Sequence, residues 1–269
     1  MGQIPQNGTF PARASGHTLP GMSNPTAAVL VIGNEILSGR TQDTNSGTLA
    51  RFLAPLGITL SEIRVVGDDE AEIVAAVNAL RARYTYVFTS GGIGPTHDDI
   101  TADAVAVAFG VTIGFHPEAM AQLATRYAAR GEDFNAMRQR MARIPEGASL
   151  IKNTLSVAPG FQLANVFVLA GVPSVLTAML EDLAPRLTRG AVMQAITIAA
   201  PVAEGDIAAG LAALQKDYPA VAIGSYPYYR PEGYGVQLVA RGLVEADVEK
   251  AAGDIEALLR GIGAEPERL

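Results

Sequence analysis

The segment FTSGGIGPTHDDIT, Phe88 to Thr101, sets three glycines, a histidine and two adjacent aspartates between an apolar run and an alanine-rich helical pattern. Gly91, Gly92 and Gly94 permit a sharp turn, leave backbone N–H groups uncovered and let a ligand approach the main chain. The following helix adds partial positive charge at its N-terminus, so the turn is suited to cradling phosphate, with Thr96 inside it. No Lys-Ser/Thr pair follows and the spacing is not GxGxxG, so this is neither a Walker loop nor a dinucleotide fingerprint. Tight packing without a ligand is the competing reading of any such turn.

Asp98 and Asp99 sharpen the question. One carboxylate at a helix start is an ordinary cap. Two beside a phosphate would repel it strongly at low effective dielectric, and a divalent cation (Mg²⁺, Mn²⁺ or Co²⁺) shared with the phosphate oxygens removes the conflict. A second acidic turn, VGDDE, holds Asp68, Asp69 and Glu70. Favourable charge at a helix start accounts for most of it. In a parallel sheet the two turns share a rim, so Asp68 and Asp99 are expected to face one pocket and hold the metal. Glu35, Asp43 and Asn45 reach the same rim from the first turn. His97 is a phosphate ligand, an acid/base group or a loop histidine bonded to backbone. His116 and Lys152 are read as structural and solvated.

The elements that must position these residues follow from periodicity. AAVLVI (27–32) is a buried strand, ITLSEIRVV (58–66) an alternating one and YTYVFT (84–89) a third. Helical patterns over 43–57, 68–83 and 100–110 separate and follow them. This β-α-β-α-β-α order implies a parallel sheet flanked by helices, with ligands beyond the carboxyl ends of the strands. Residues 117–143 are helical with a break at GEDFN, 147–174 are short strands and turns, and 175–187 is a closing helix. After Arg189 a β-α-β-β-α pattern restarts, a small α+β domain over 190–269. SYPYYRPEGYG (225–235) places tyrosines around Arg230, and local packing in a hairpin is preferred to base stacking. Residues 1–25, rich in Gly, Pro, Ser and Asn, read as a disordered leader.

The chain has 269 residues, 49% hydrophobic and 17% charged, the composition of a globular protein. It contains no cysteine, which excludes disulfides and thiolate chemistry and fits a reducing, cytoplasmic setting. A net charge of −7 argues against a nucleic-acid partner, and no apolar run reaches membrane length.

The segments SGGIGPTHDDITADAVAVAFG, GNEILSGRTQDTNSGTLA and VVGDDEAEI together resemble the molybdopterin-binding (MoaB/Mog) fold, and more closely the N-terminal part of CinA-type competence/damage-inducible proteins. NTLSVAPGF, VLAGVPSVLTAML and GSYP continue the likeness, which covers almost everything from residue 27 onward. It implies a three-layer α/β/α sandwich with a mostly parallel sheet over 26–189. It also implies a homo-oligomer that binds a pterin phosphate or nucleotide over the glycine loop. One branch adenylylates molybdopterin; the CinA-like branch is associated with metal-dependent hydrolysis of ADP-ribose, FAD or diadenosine polyphosphates. On that resemblance Asp68 and Asp99 correspond to an essential acidic pair, Gly91, Gly92, Gly94 and Thr96 to the phosphate loop, and Asp43 and Asn45 to first-turn polar positions. Asn34, Ser156, Ala170 and Val175 depart from the family pattern, which leaves a non-catalytic nucleotide-binding module as a third reading. The C-terminal amidohydrolase domain of CinA proteins is expected to be absent.

Overall fold

The computed structural model describes residues 24–230 and 233–269, with only the backbone of Arg230. The leader expected over 1–25 therefore falls almost wholly outside the described residues. The chain runs β1 (Thr26–Ile32), α1 (Asn34–Leu37), α2 (Asn45–Leu53), β2 (Thr59–Val66), α3 (Glu70–Arg83), β3 (Tyr86–Ser90) and α4 (Thr101–Phe109). It continues through β4 (Ile113–Phe115), α5 (Pro117–Ala129), α6 (Ala136–Gln139), β5 (Arg143–Pro145), β6 (Ser149–Ile151), β7 (Gly160–Leu163), β8 (Val166–Leu169) and α7 (Pro173–Leu183). The last stretch is β9 (Gln194–Ala200), α8 (Glu204–Asp217), β10 (Ala222–Arg230), β11 (Gly233–Gly242), α9 (Glu245–Gly261) and β12 (Glu267–Arg268).

The main sheet has the order β2-β1-β3-β8-β7-β6. Its first four strands are parallel neighbours, while β7 runs antiparallel to both β8 and β6. Strand β1 is buried on both faces because its alternate residues feed two cores. Ala28, Leu30 and Ile32 pack with Ile73, Val77 and Leu80 of α3 and Val105 of α4. Ala27, Val29 and Val31 pack with Leu49 and Leu53 of α2 and Leu176, Met179 and Leu183 of α7. Phe88 and Phe167 stack across β3 and β8 with ring centroids 5.1 Å apart. The result is a three-layer α/β/α sandwich with a mixed, mostly parallel sheet.

That geometry gathers the turns after β1, β2, β3 and β8 at one edge, the carboxyl end of the parallel strands. Asp69 caps α3 by accepting the Glu72 N–H at 3.0 Å, which fixes where the second of these turns stops. A second sheet, order β10-β11-β9-β12, carries its own apolar cluster: Ile198, Val236 and Leu238 against Ile207 of α8 and Val248, Ile255 and Leu259 of α9. The tyrosine-rich stretch forms the β10–β11 hairpin. Arg241 donates to the Tyr226 hydroxyl at 3.0 Å and the Tyr229 and Tyr234 rings lie 6.3 Å apart. The Arg230 side chain lies outside the described residues. No helix among the described residues is long and apolar enough to cross a membrane.

Candidate functional site

The glycine loop leaves β3 under heavy constraint. Gly91 has φ 112° and Gly92 φ 67°, values that exclude comfortable L side chains. A Cβ on Gly91 would come 2.1 Å from the Ile32 carbonyl oxygen, and one on Gly92 would come 2.1 Å from Thr101 Oγ1. The loop is tied down at both ends. Gly91 N–H donates to Leu169 O at 3.2 Å, Thr101 N–H to Gly92 O at 3.0 Å, and Thr101 Oγ1 to Gly91 O at 3.0 Å. Between those anchors the N–H groups of Gly92, Ile93 and Gly94 meet no protein acceptor among the described residues. Helix α4 begins immediately afterwards, and Ile100 at its N-cap supplies no side-chain cap.

Asp99 shapes this loop from within. Its Oδ2 accepts the Thr96 N–H at 2.7 Å and the Thr96 hydroxyl at 2.6 Å. Asp98 is exposed, and the Thr96 hydroxyl beside it, with its own amide, holds its carboxyl below the usual carboxylate range. His97 points into solvent, with Nδ1 3.9 Å from the Asp98 carboxylate, and no packing orients it. A histidine so placed lacks the fixed geometry of an acid/base group.

Two clefts flank the loop. One is lined by Val31, Glu35, Asp43, Asn45, Ser90, Gly91 and Gly171 among others. Asp43 Oδ1 accepts from Asn45 N at 2.9 Å and Ser46 N at 3.1 Å, capping α2. Asn45, 6% exposed, donates through Nδ2 to Ser90 Oγ at 2.8 Å and Gly171 O at 2.7 Å, joining the turns after β3 and β8. Its Oδ1 is buried without a partner. The other, a narrow cleft, is lined by Gly92, Gly94, Asp99, Asp103, Arg140, Arg143 and Phe161 among others. Arg143 forms an ion pair with Asp103, and Arg140 Nη2 reaches the Asp99 carbonyl at 3.4 Å. Sequence reasoning missed both arginines, because they arrive from a segment 41 residues downstream of Asp99 that carries no motif.

The structure brings Gly91, Gly92, Gly94, Thr96, Asp99, Asp43 and Asn45 to one rim, but it does not place Asp68 with Asp99. Asp68 Oδ2 accepts the Asn34 N–H at 2.9 Å, linking the turns after β2 and β1. Neither flanking cleft is lined by both aspartates. Among the described residues no three His, Asp or Glu side chains form a metal-binding group. Asp43 is engaged by the amides of Asn45 and Ser46, Asp99 by Thr96 and Asp68 by the Asn34 N–H of the adjacent turn. The carboxylates that line the Arg-lined cleft are Asp99 and Asp103, the latter paired with Arg143.

The departures from the family pattern have local explanations. Asn34 sits beside Asp68, where an aspartate would add a second carboxylate next to the first. Ser156 Oγ accepts from Asn153 Nδ2, and the left-handed residue of that turn is Val157 at φ 70°. Ala170 and Val175 pack against the α2–α7 core. Lys152 donates its backbone N–H to Asp182 at 3.2 Å, and His116 caps α5 through its backbone; both agree with structural roles.

A fold of this layering with a glycine loop at the carboxyl rim defines a class, and comparison with known proteins places the chain in it. Residues 28–189 match the family described as "Probable molybdopterin binding domain", and residues 193–266 match "FAD synthase, middle domain". A CinA-like protein of Syntrophotalea carbinolica is 36% identical over 165 residues, covering 60% of this chain and 40% of that protein. A protein of Aeropyrum pernix is 33% identical over 256 residues, covering 89% of this chain and 94% of its own. The structure of a CinA protein of unknown function from Thermoplasma acidophilum superposes with a TM-score of 0.56 at 33% identity, over 60% of this chain and 97% of that one. The chain belongs to the molybdopterin-binding-domain (MoaB/Mog) family, in its CinA N-terminal-like branch. It spans less than two thirds of the CinA-like relatives it matches, 40% of the Syntrophotalea protein.

Proposed function

We propose that the protein hydrolyses the diphosphate bond of an adenine dinucleotide of the ADP-ribose type, with the divalent cation carried by the substrate. The observation that carries this reading is the row of unengaged N–H groups at Gly92, Ile93 and Gly94, set between two clefts and beside an uncapped helix start. Such a row holds phosphate oxygens, and in a water-poor site it stabilises the charge that builds on them as a P–O bond breaks. The cation's contribution is to neutralise phosphate charge and polarise the P–O bond. Thr96 and Asp99 hold the loop open, and Asp99 faces the substrate's cation from the Arg-lined cleft. Asn45 and Ser90 line the opposite cleft, where a base or ribose would rest. The match of residues 193–266 to the middle domain of a synthase that makes FAD, itself a dinucleotide diphosphate, favours this substrate class. Incubation with ADP-ribose and Mg²⁺, Mn²⁺ or Co²⁺, followed by chromatography, is expected to release AMP and ribose phosphate. Binding without AMP release under all three cations would instead identify a non-catalytic nucleotide module.

A second reading, molybdopterin binding with adenylyl transfer, is favoured by the description of the family that covers residues 28–189. It predicts a pterin retained through purification, or ATP-dependent adenylylation of molybdopterin. Neither is expected if ADP-ribose is the substrate.

A further inference from the structure

Across Gly91 the two clefts differ in charge. The Asn45 side is lined by Glu35 and Asp43 and no cation; the other side holds Arg140 and Arg143 together with Asp99 and Asp103, so its carboxylates are matched by cations. A ligand with one charged and one uncharged end can therefore lie over the loop in only one sense. Its phosphates belong with the arginines.

The hydrogen bonding of the two arginines bears on the same point. Nε of Arg140 and Nε of Arg143 are buried with no hydrogen-bond partner among the described residues, as is Nε of Arg126 away from this cleft, so a ligand would meet the terminal Nη groups instead. A guanidinium presents its terminal N–H groups as a planar fork, and phosphate is an acceptor that fork fits well. The ion pair with Asp103 explains why Arg143 is present, but it leaves that residue's Nε unsatisfied. Among the described residues the Arg140 side chain makes no ion pair, and its Nη2 reaches the Asp99 carbonyl at 3.4 Å. Both side chains come from the segment that enters β5, which pairs with β4 outside the main sheet. That segment lies against the α4 start, so the guanidiniums and the loop amides face the same cavity.

We infer that Arg140, seconded by Arg143, is a specificity residue for a diphosphate. The loop amides of Gly92–Gly94 take one phosphate group and the guanidiniums take the next. The chemical class selected is a diphosphate ester over a monophosphate. The two arginines and the two cleft carboxylates, Asp99 and Asp103, balance in charge, so the diphosphate binds together with its cation. This inference deepens the dinucleotide reading and rests on its placement of phosphate at the loop.

Calorimetry with inorganic pyrophosphate and inorganic phosphate, each with Mg²⁺, tests it on the intact chain. The wild-type protein is expected to prefer pyrophosphate by about tenfold or more, the worth of one charged hydrogen-bonded contact. Arg140→Gln is expected to collapse that preference while changing phosphate binding by less than about twofold. Arg140→Lys, a point charge without the fork, should restore it only in part. Thermal melting of the variants checks that they fold, and Arg143→Lys repeats the measurement at the second position. No preference in the wild type, or a preference that survives Arg140→Gln, overturns the inference. Because pyrophosphate binding needs no turnover, failure to release AMP from ADP-ribose would refute the enzymatic reading and leave this result standing.

Discussion

One carboxylate oxygen of Asp99 accepts both the N–H and the hydroxyl of Thr96, at 2.7 and 2.6 Å. The side chain that the GPTHDD motif marks as a candidate for chemistry is thus also the brace that gives the loop its shape. Loss of activity in an Asp99 variant alone does not separate the two roles. Thr96→Val removes the hydroxyl donor and keeps the carboxylate. If Asp99 acts only as a brace, Thr96→Val and Asp99→Asn should lower turnover to similar extents. If it also faces the substrate's cation, Asp99→Asn should fall at least about tenfold further, a difference of roughly 1.4 kcal/mol in barrier. Steady-state kinetics of the two variants decides.

Gly91→Ala should be among the most damaging single changes in the chain. The new Cβ meets the Ile32 carbonyl oxygen at 2.1 Å, and a backbone oxygen inside β1 cannot withdraw. With the added strain at φ 112°, we expect a loss of about 3 kcal/mol or more. Gly94→Ala is milder, because its Cβ meets Asp99 Oδ2 at 2.6 Å and that side chain can swing away. It should leave stability nearly intact and weaken nucleotide binding. Chemical denaturation and calorimetry separate the two effects.

The extent to which the site was legible in sequence follows from where its contacts come from. The glycine loop, the strand before it and the helix after it are local, and their residue types report their geometry directly. The parallel order of the first three strands is legible for the same reason, through short links, the continuous apolar runs of β1 and β3 and the alternation of β2. The antiparallel pair β7 and β6 beyond β8 is not, since four-residue and three-residue strands carry too little pattern. The partners of the acidic residues are equally hidden. Asp68 meets Asn34, 34 positions away, and Asn45 meets Gly171 across 126 positions. The expectation that Asp68 and Asp99 share one pocket treated a common rim as a common cavity, whereas each is engaged by a turn on its own part of the rim.

Asn45 offers a test of the rim's integrity. Its amide is the only side-chain group among the described residues that hydrogen-bonds both Ser90 Oγ and the Gly171 carbonyl. Asn45→Ala strands that carbonyl and should cost about 1–3 kcal/mol. Asn45→Asp keeps the shape, removes the donor and brings negative charge beside Asp43, so it should be at least as harmful. Thermal unfolding of both variants checks the order.

The second sheet has its own pH signature. The Tyr218 hydroxyl donates to Asp254, and that bond, with partial burial and the charges of Asp254, Asp217 and Asp247, pushes its pKa up to about 12. A tyrosine whose folded pKa is raised stabilises the fold fully below the ordinary value of 10.0 and loses that contribution as pH climbs toward about 12. Denaturation midpoints should therefore decline across that alkaline window in the wild type. In Tyr218→Phe the decline should be smaller, starting from a lower plateau.

The central claim is that the N–H groups of Gly92, Ile93 and Gly94 grip a diphosphate. Crystals grown with ADP-ribose and Mg²⁺ test it most directly. Phosphate oxygens are expected within hydrogen-bond distance of those amides, with the second phosphate beside Arg140 and the base on the Asn45 side. A nucleotide bound elsewhere, with the loop amides facing only solvent, would contradict it.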